Sequence, residues 1–148
     1  MKLTVRKDIA ALRRDAVHRI NEICGQVRAR FVTIIPAQDM IYLEKASEGR
    51  RFLAEHPDPQ NQPAEVDPDP SMGFPFIASE VGITAATGFE VAMFYVQGAA
   101  QFRYVGAAIE AIRLGSVQAV EAAENPEQIA ATVDFCAAQL AELPIPSF

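Results

Sequence analysis

Two histidines, two cysteines and a few clustered acids are the residues of this chain able to move protons, hold a metal or attack an electrophile. His18 stands between Asp15 and Glu22, three residues after one and four before the other, a helical spacing that suits a surface ion pair. Because it also neighbours an apolar stripe, it reads as a partly buried structural histidine rather than a general base. His56 precedes Pro57 at the end of a helical stretch, where a cation complements the carbonyl end of the helix. Neither histidine has a second histidine or a cysteine at a zinc-binding spacing. Cys24 and Cys136 sit alone on separate helical segments. A disulfide requires those helices to pack side by side, and two buried free thiols are the expectation in a reducing compartment.

The acids fare no better. Glu44 with Glu48, and Glu121 with Glu124, place carboxylates on shared helical faces, but a di-iron bundle needs a Glu-x-x-His motif and the chain has none. They read as solvated faces. Asp58, Asp67 and Asp69 lack the glycine and closing glutamate of a calcium loop. Ser47, Ser71, Ser79, Ser116 and Ser147 lack a Gly-x-Ser-x-Gly turn, and no glycine-rich phosphate loop is present. No catalytic residue, metal ligand or cofactor-binding residue is expected, and the chain is not expected to be an enzyme. The alternative is a helical enzyme or ligand-binding bundle, with His18 and carboxylates converging on a pocket.

What remains is aromatic. Phe89, Phe94, Tyr95, Phe102 and Tyr104 span more than one face of a single helical stretch. Either they pack a core, or some form a contact surface, because rings that encircle a helix cannot all be buried in a small bundle. Phe148 closes the segment "PIPSF", where an apolar terminal residue after two prolines can dock into a neighbour. These six residues are the candidate partner contacts.

The elements that position them are helical. From Thr4, a plausible N-cap, to Ile35, apolar residues at Ile9, Leu12, Ala16, Ile20, Ile23, Val27, Phe31 and Ile34 recur every three or four positions. That pattern predicts a rod of about 45 Å, ended by Pro36, which either kinks one continuous helix or turns a tight corner. "PAQDMIYLEKASEGRRFLAEH" predicts a second helix with a stripe of Met40, Leu43, Ala46 and Leu53, weakened by Gly49. "HPDPQNQPAEVDPDPSMGFPF" reads as an extended, solvated, acidic connector. "FPFIASEVG" predicts a short helix ending near Gly82.

Thr87 to Glu90, "TGFE", is a capping box opening a second long rod. Its stripe runs through Val91, Phe94, Gly98, Phe102, Val105, Ile109, Ile112, Ser116, Ala119 and Ala123. A second stripe of small residues, Ala108, Ala111, Gly115, Ala119 and Ala122, predicts helical neighbours on two sides. In "NPEQ", Asn125 caps, Pro126 takes the first helical position and Gln128 completes a capping box. The last helix carries Ile129, Val133, Cys136, Leu140 and Leu143. The expected fold is all-α: two long amphipathic helices plus shorter ones in an extended hairpin or bundle, with no strand. Residues 1–56 form an N-terminal helical segment, 57–75 the Pro/Asp-rich connector and 76–148 a C-terminal helical hairpin, within one structural domain.

Charge is unevenly placed. Residues 1–35 hold eight Lys/Arg against three acids, and residues 36–148 hold five against sixteen, for a net charge of −6. The arginines are scattered along one helix without interleaved aromatics, so nucleic acid is not the expected partner. The basic helix instead faces an acidic one, within the fold or on a neighbouring chain. The longest nearly apolar run, Val91 to Phe102, is broken by Gln97 and falls short of the ~20 residues that span a bilayer, so no membrane role is expected. The charged N-terminus does not read as a secretory leader, which makes the cytoplasm the default compartment.

Two stretches carry a resemblance. "RINEICGQVRARFVTIIPAQDMIYLEKASEGRRFL" (residues 19–53) has an arginine-flanked helix, an Ile-Pro-x-Gln corner and Tyr-Leu-x-Lys-Ala leading into a second helix. "VGAAIEAIRLGSVQAVEAAENPEQIAATVDF" (residues 105–135) is an alanine-rich hairpin. Together they resemble small helical proteins encoded near the tail-fibre genes of tailed bacteriophages and prophages, described as tail or tail-fibre assembly proteins. The acidic proline connector lies outside this resemblance, and it transfers no catalytic residue. It implies a virion tail protein that binds a tail-fibre or baseplate protein, or else an assembly chaperone that shields the fibre and is released. Self-association into a homo-oligomer is a further expectation. The implied location is the virion tail, and the host cytoplasm during assembly.

Overall fold

The computed structural model describes residues 8–30 and 38–144, and within them the chain is all-α, with five helices and no strand. These are α1 (Ile9–Arg28), α2 (Gln38–Glu55), α3 (Pro75–Glu80), α4 (Gly88–Ala122) and α5 (Pro126–Ala141). They group into two compact units. One combines Met1–Thr33 with Tyr104–Phe148, and the other is Ile34–Arg103. The division does not follow the three consecutive segments read from the sequence, because α4 supplies its first part to one unit and its last part to the other.

In the first unit α1 packs along α5. The α1 helix has 20 residues and starts later than the periodicity suggests. Its cap is Asp8, whose carboxylate accepts from the amides of Ala10 and Ala11 at 3.0 and 3.2 Å. Thr4, the expected cap, and Pro36, the expected stop, lie outside the described residues. The helix closes with the Ala29 amide donating to the Gly25 carbonyl at 3.0 Å. Of the expected stripe, Ala16, Ile20 and Val27 are buried and Ile9, Leu12 and Ile23 partly so, while Phe31 and Ile34 lie outside the described residues. Cys24 joins them, facing Val105, Ile109 and Val120 of α4 and Ile129, Cys136 and Leu140 of α5. Each large aliphatic chain so buried contributes about 1.5–3 kcal/mol.

The second unit packs α2, α3, the segment between them and the start of α4. Phe52, Phe74, Ile77, Val91, Ala92 and Tyr95 form its core, where the Phe52 and Phe74 rings meet edge to face at 4.9 Å. A Cβ at Gly49 would lie 3.0 Å from the Ala92 carbonyl oxygen and 3.1 Å from the Tyr95 Cβ. Glycine is what lets α2 lie this close to α4. The expected α2 stripe is therefore half wrong. Ala46 is buried and Leu53 partly buried, but Met40 and Leu43 are 68% and 72% exposed, on the face opposite Gly49.

The proline-rich segment is a series of turns and bends packed on the unit, where an extended, solvated tether is expected. Val66 packs on the core and Phe74 is part of it. Arg51 donates to the carbonyls of Met72 (2.9 Å) and Gly73, and lies over the Phe74 ring at 4.3 Å. The aspartates close local turns: Asp69 Oδ1 accepts from the amide and hydroxyl of Ser71 at 2.7 and 2.6 Å, and Asp67 Oδ1 accepts from the Asp69 amide at 3.0 Å. After α3 the chain turns on Gly82, whose φ of +82° favours glycine, and the Gly82 amide donates to the Ala85 carbonyl at 2.7 Å.

The Thr87 capping box forms, and the Asn125 cap forms without the reciprocal bond of a box. The Thr87 amide donates to Glu90 Oε2 at 3.1 Å and the Glu90 amide to Thr87 Oγ1 at 3.2 Å. Asn125 Oδ1 accepts from the Gln128 amide at 2.9 Å, while Gln128 Oε1 reaches one residue beyond the cap, to the Glu124 amide at 2.7 Å.

Candidate functional site

The structure sorts five of the six candidate contacts by helical phase. In the second unit Val91, Ala92 and Tyr95 of α4 face the core, so Phe94 points outward and is 59% exposed. Tyr95, expected as a contact residue, is instead 7% exposed and belongs to the core. Phe89 is partly buried against that core. Phe102 is 48% exposed. In the first unit Tyr104 is 70% exposed. Phe148 lies outside the described residues. The core stripe drawn through Phe94 and Phe102 is thereby corrected: close approach at Gly49 selects the Ala92 and Tyr95 side of α4.

Further outward apolar residues were not singled out by their sequence positions. Leu114 on α4 is 51% exposed and Phe135 on α5 is 64% exposed. Phe135 carries a signal that could have found it: it is a large ring one position off the Ile129, Val133, Cys136 and Leu140 stripe.

The polar groups form structural pairs. Glu48 corrects the expectation of a solvated face. It is 7% exposed and accepts from the Ile77 amide at 2.7 Å, capping the N-terminus of α3, where Phe74 offers no side-chain cap. Burial pushes its carboxyl above the usual range, against the opposing pull of the Ile77 and Phe76 amides and of Arg51. Nearby, Glu80 pairs with Lys45 and accepts from Thr84 Oγ1 at 2.7 Å. Burial raises its carboxyl, but the bonds from Lys45 and Thr84 outweigh that and hold it below the ordinary value. The Tyr95 hydroxyl is buried beside Glu80 without a hydrogen bond of ordinary geometry, and burial pushes its ionisation upward. Lys45 also sits over the Tyr95 ring at 5.3 Å.

In the first unit one arginine of α1 meets an acid of α4. Arg28 pairs with Glu110, and Arg113 joins Glu110 to Asn21, with 3.3 Å between Arg113 Nη1 and Asn21 Oδ1. Arg13 Nη2 donates to the Ala123 carbonyl at 2.6 Å, satisfying an acceptor at the end of α4. Cys24 and Cys136 are fully buried free thiols in contact across α1 and α5, and burial followed by the neighbouring Cys136 pushes Cys24 up to about 11. His18 is more exposed than expected, at 78% of its side chain, and lies 3.9 Å from Glu22. His56 packs its ring on Phe52 at 4.8 Å.

Among the described residues, no three His, Cys, Asp or Glu side chains converge as a metal site, and no helix is long and apolar enough to cross a membrane. The arrangement presents apolar side chains on helical faces, and its buried or half-buried charges are held by Arg28 and Arg113 on Glu110, Lys45 on Glu80 and the Ile77 amide on Glu48. Compared with known proteins, the chain matches no family model, no curated protein and no solved structure.

Proposed function

We propose that this chain is a bacteriophage tail-associated structural protein that packs on the tail fibre or baseplate through the outward faces of its helices. One observation carries the reading beyond sequence resemblance: Phe94 stands 59% exposed between a buried Ala92 and a buried Tyr95. Full burial of such a ring contributes about 1.5–3 kcal/mol, and that contribution is left for a partner to supply. Phe102 in the same unit, and Tyr104 and Phe135 in the other, extend the supply of outward rings. Aromatic side chains are enriched at the anchoring positions of protein interfaces. The role requires no reaction on the chain.

A tail component stays with the particle through purification, at a fixed ratio to the fibre or baseplate. A fibre-assembly chaperone would use the same surface and then leave. Quantitative mass spectrometry of purified particles separates the two, since a chaperone is abundant in the lysate and lost from the virion.

A further inference from the structure

Two reactive side chains take no part in the outward surface. Cys24 of α1 and Cys136 of α5 are free thiols, each 0% exposed. More than a hundred residues separate them in sequence, and the packing of α1 along α5 brings them together. Across that interface Cys136 lies close enough to hydrogen-bond with the Cys24 thiol. Their surroundings are aliphatic: Ile20 and Val27 of α1, Ile109 and Val120 of α4, and Leu140 of α5. Among the described residues, no third His, Cys, Asp or Glu converges on the pair as a metal site would need. Each sulfur's reactive neighbour is the other.

α1 is otherwise fastened without a covalent bond, and its polar anchors reach α4 or its end. Arg13 donates to the Ala123 carbonyl, Arg28 pairs with Glu110, and Asn21 meets Arg113. A bond at Cys24 adds a link to α5, which those anchors leave to apolar packing.

We propose that Cys24 and Cys136 are a redox latch, joined by a small-molecule disulfide as oxidant into one bond that ties α1 to α5. The latch is open in reducing surroundings and closed in oxidising ones, and it stands apart from the tail-associated reading. The chemistry is thiol–disulfide exchange. One cysteine thiolate attacks a sulfur of oxidised glutathione, which forms a mixed disulfide and expels one glutathione thiolate. The second cysteine thiolate attacks the protein sulfur of that mixed disulfide and expels the other. Two electrons pass to glutathione, and the two thiol protons end on the two glutathione sulfurs. Burial keeps the oxidant out of the folded chain, so exchange runs while α1 is lifted from α5 or before it docks.

The full chain is refolded from urea in mixtures of reduced and oxidised glutathione, so that both thiols meet the oxidant before α1 docks. Intact mass is read after quenching, and thermal melts are taken before and after dithiothreitol. Expected is a monomer lighter by two hydrogens with no glutathione attached. Because the bond closes a loop of over a hundred residues, its melting temperature should stand roughly 5–10 °C above that of the reduced chain. Glutathione adducts or disulfide-linked dimers as the main product, or a chain that stays reduced, overturn the proposal. An internal disulfide that leaves the melting temperature unchanged or lower overturns it too. Cys136→Ala under the same treatment should show no upward shift, and a shift equal to the wild type's counts against the latch. If Cys136→Ala does not fold, the wild-type mass and melts decide alone.

Discussion

Glu48 on α2 accepts the backbone amide of Ile77 on α3 at 2.7 Å, so one helix is capped by the carboxylate of another. Removing the acceptor strands a buried amide at a helix start. Glu48→Ala is expected to cost about 1–3 kcal/mol in urea denaturation. Glu48→Gln keeps an oxygen for the amide and costs less.

The same carboxylate fixes a pH trend. Its pKa in the fold is raised by burial, so the native state binds the proton more tightly than the unfolded chain does. Stability linked to Glu48 is gained as pH falls through the folded value and lost as pH rises through it. The wild type should therefore gain in melting temperature relative to Glu48→Gln on going from pH 7 toward 4.5. A constant difference across that range would show that Glu48 does not titrate in this way.

Gly49 and Gly115 make a matched pair. An added methyl at Gly49 meets the Ala92 carbonyl oxygen at 3.0 Å, and one at Gly115 meets nothing within 4 Å. Gly49→Ala is expected to destabilise by about 1–3 kcal/mol despite better helix propensity. Gly115→Ala is expected to stabilise by about 0.5–1 kcal/mol. Chemical denaturation of both variants reads the difference in sign.

Cys24 and Cys136 are both fully buried, and burial holds the Cys24 thiol up to about 11. Little thiolate forms near neutral pH, and none of it is accessible. A colorimetric disulfide reagent should label neither thiol quickly in the folded chain at pH 8, and both in denaturant. Fast labelling of the folded chain would place α1 away from α5.

How much of this was legible beforehand follows from the range of each interaction. The Thr87–Glu90 box and the Asn125 cap on the Gln128 amide each close within three residues, so residue types alone specify them. The α1 stripe was legible because 3.6-residue periodicity is local, although Asp8 begins the helix later than Thr4 would. Phe94 and Tyr95 were not separable. Which of the two adjacent rings is buried depends on where Gly49 brings α2 against α4. In sequence Glu48 reads as solvated because its amide partner lies 29 residues away. The proline segment looked like a tether because the contacts of Val66, Phe74 and Arg51 that pin it reach outside it or across it.

Outward rings should matter to assembly and little to folding. Phe94→Ala, Phe102→Ala and Tyr104→Ala are each expected to change stability by no more than about 0.5–1 kcal/mol, whereas Val91→Ala in the core costs more. Thermal melts of the four variants test that ordering.

The most direct measurement is the copy number of this chain in particles purified from a strain that encodes it, for the wild type and for Phe94→Ala. A structural tail role predicts a fixed ratio to tail components in the wild type, and several-fold lower incorporation of a Phe94→Ala chain that melts normally. Wild-type chain abundant in the lysate but absent from the particles would contradict it.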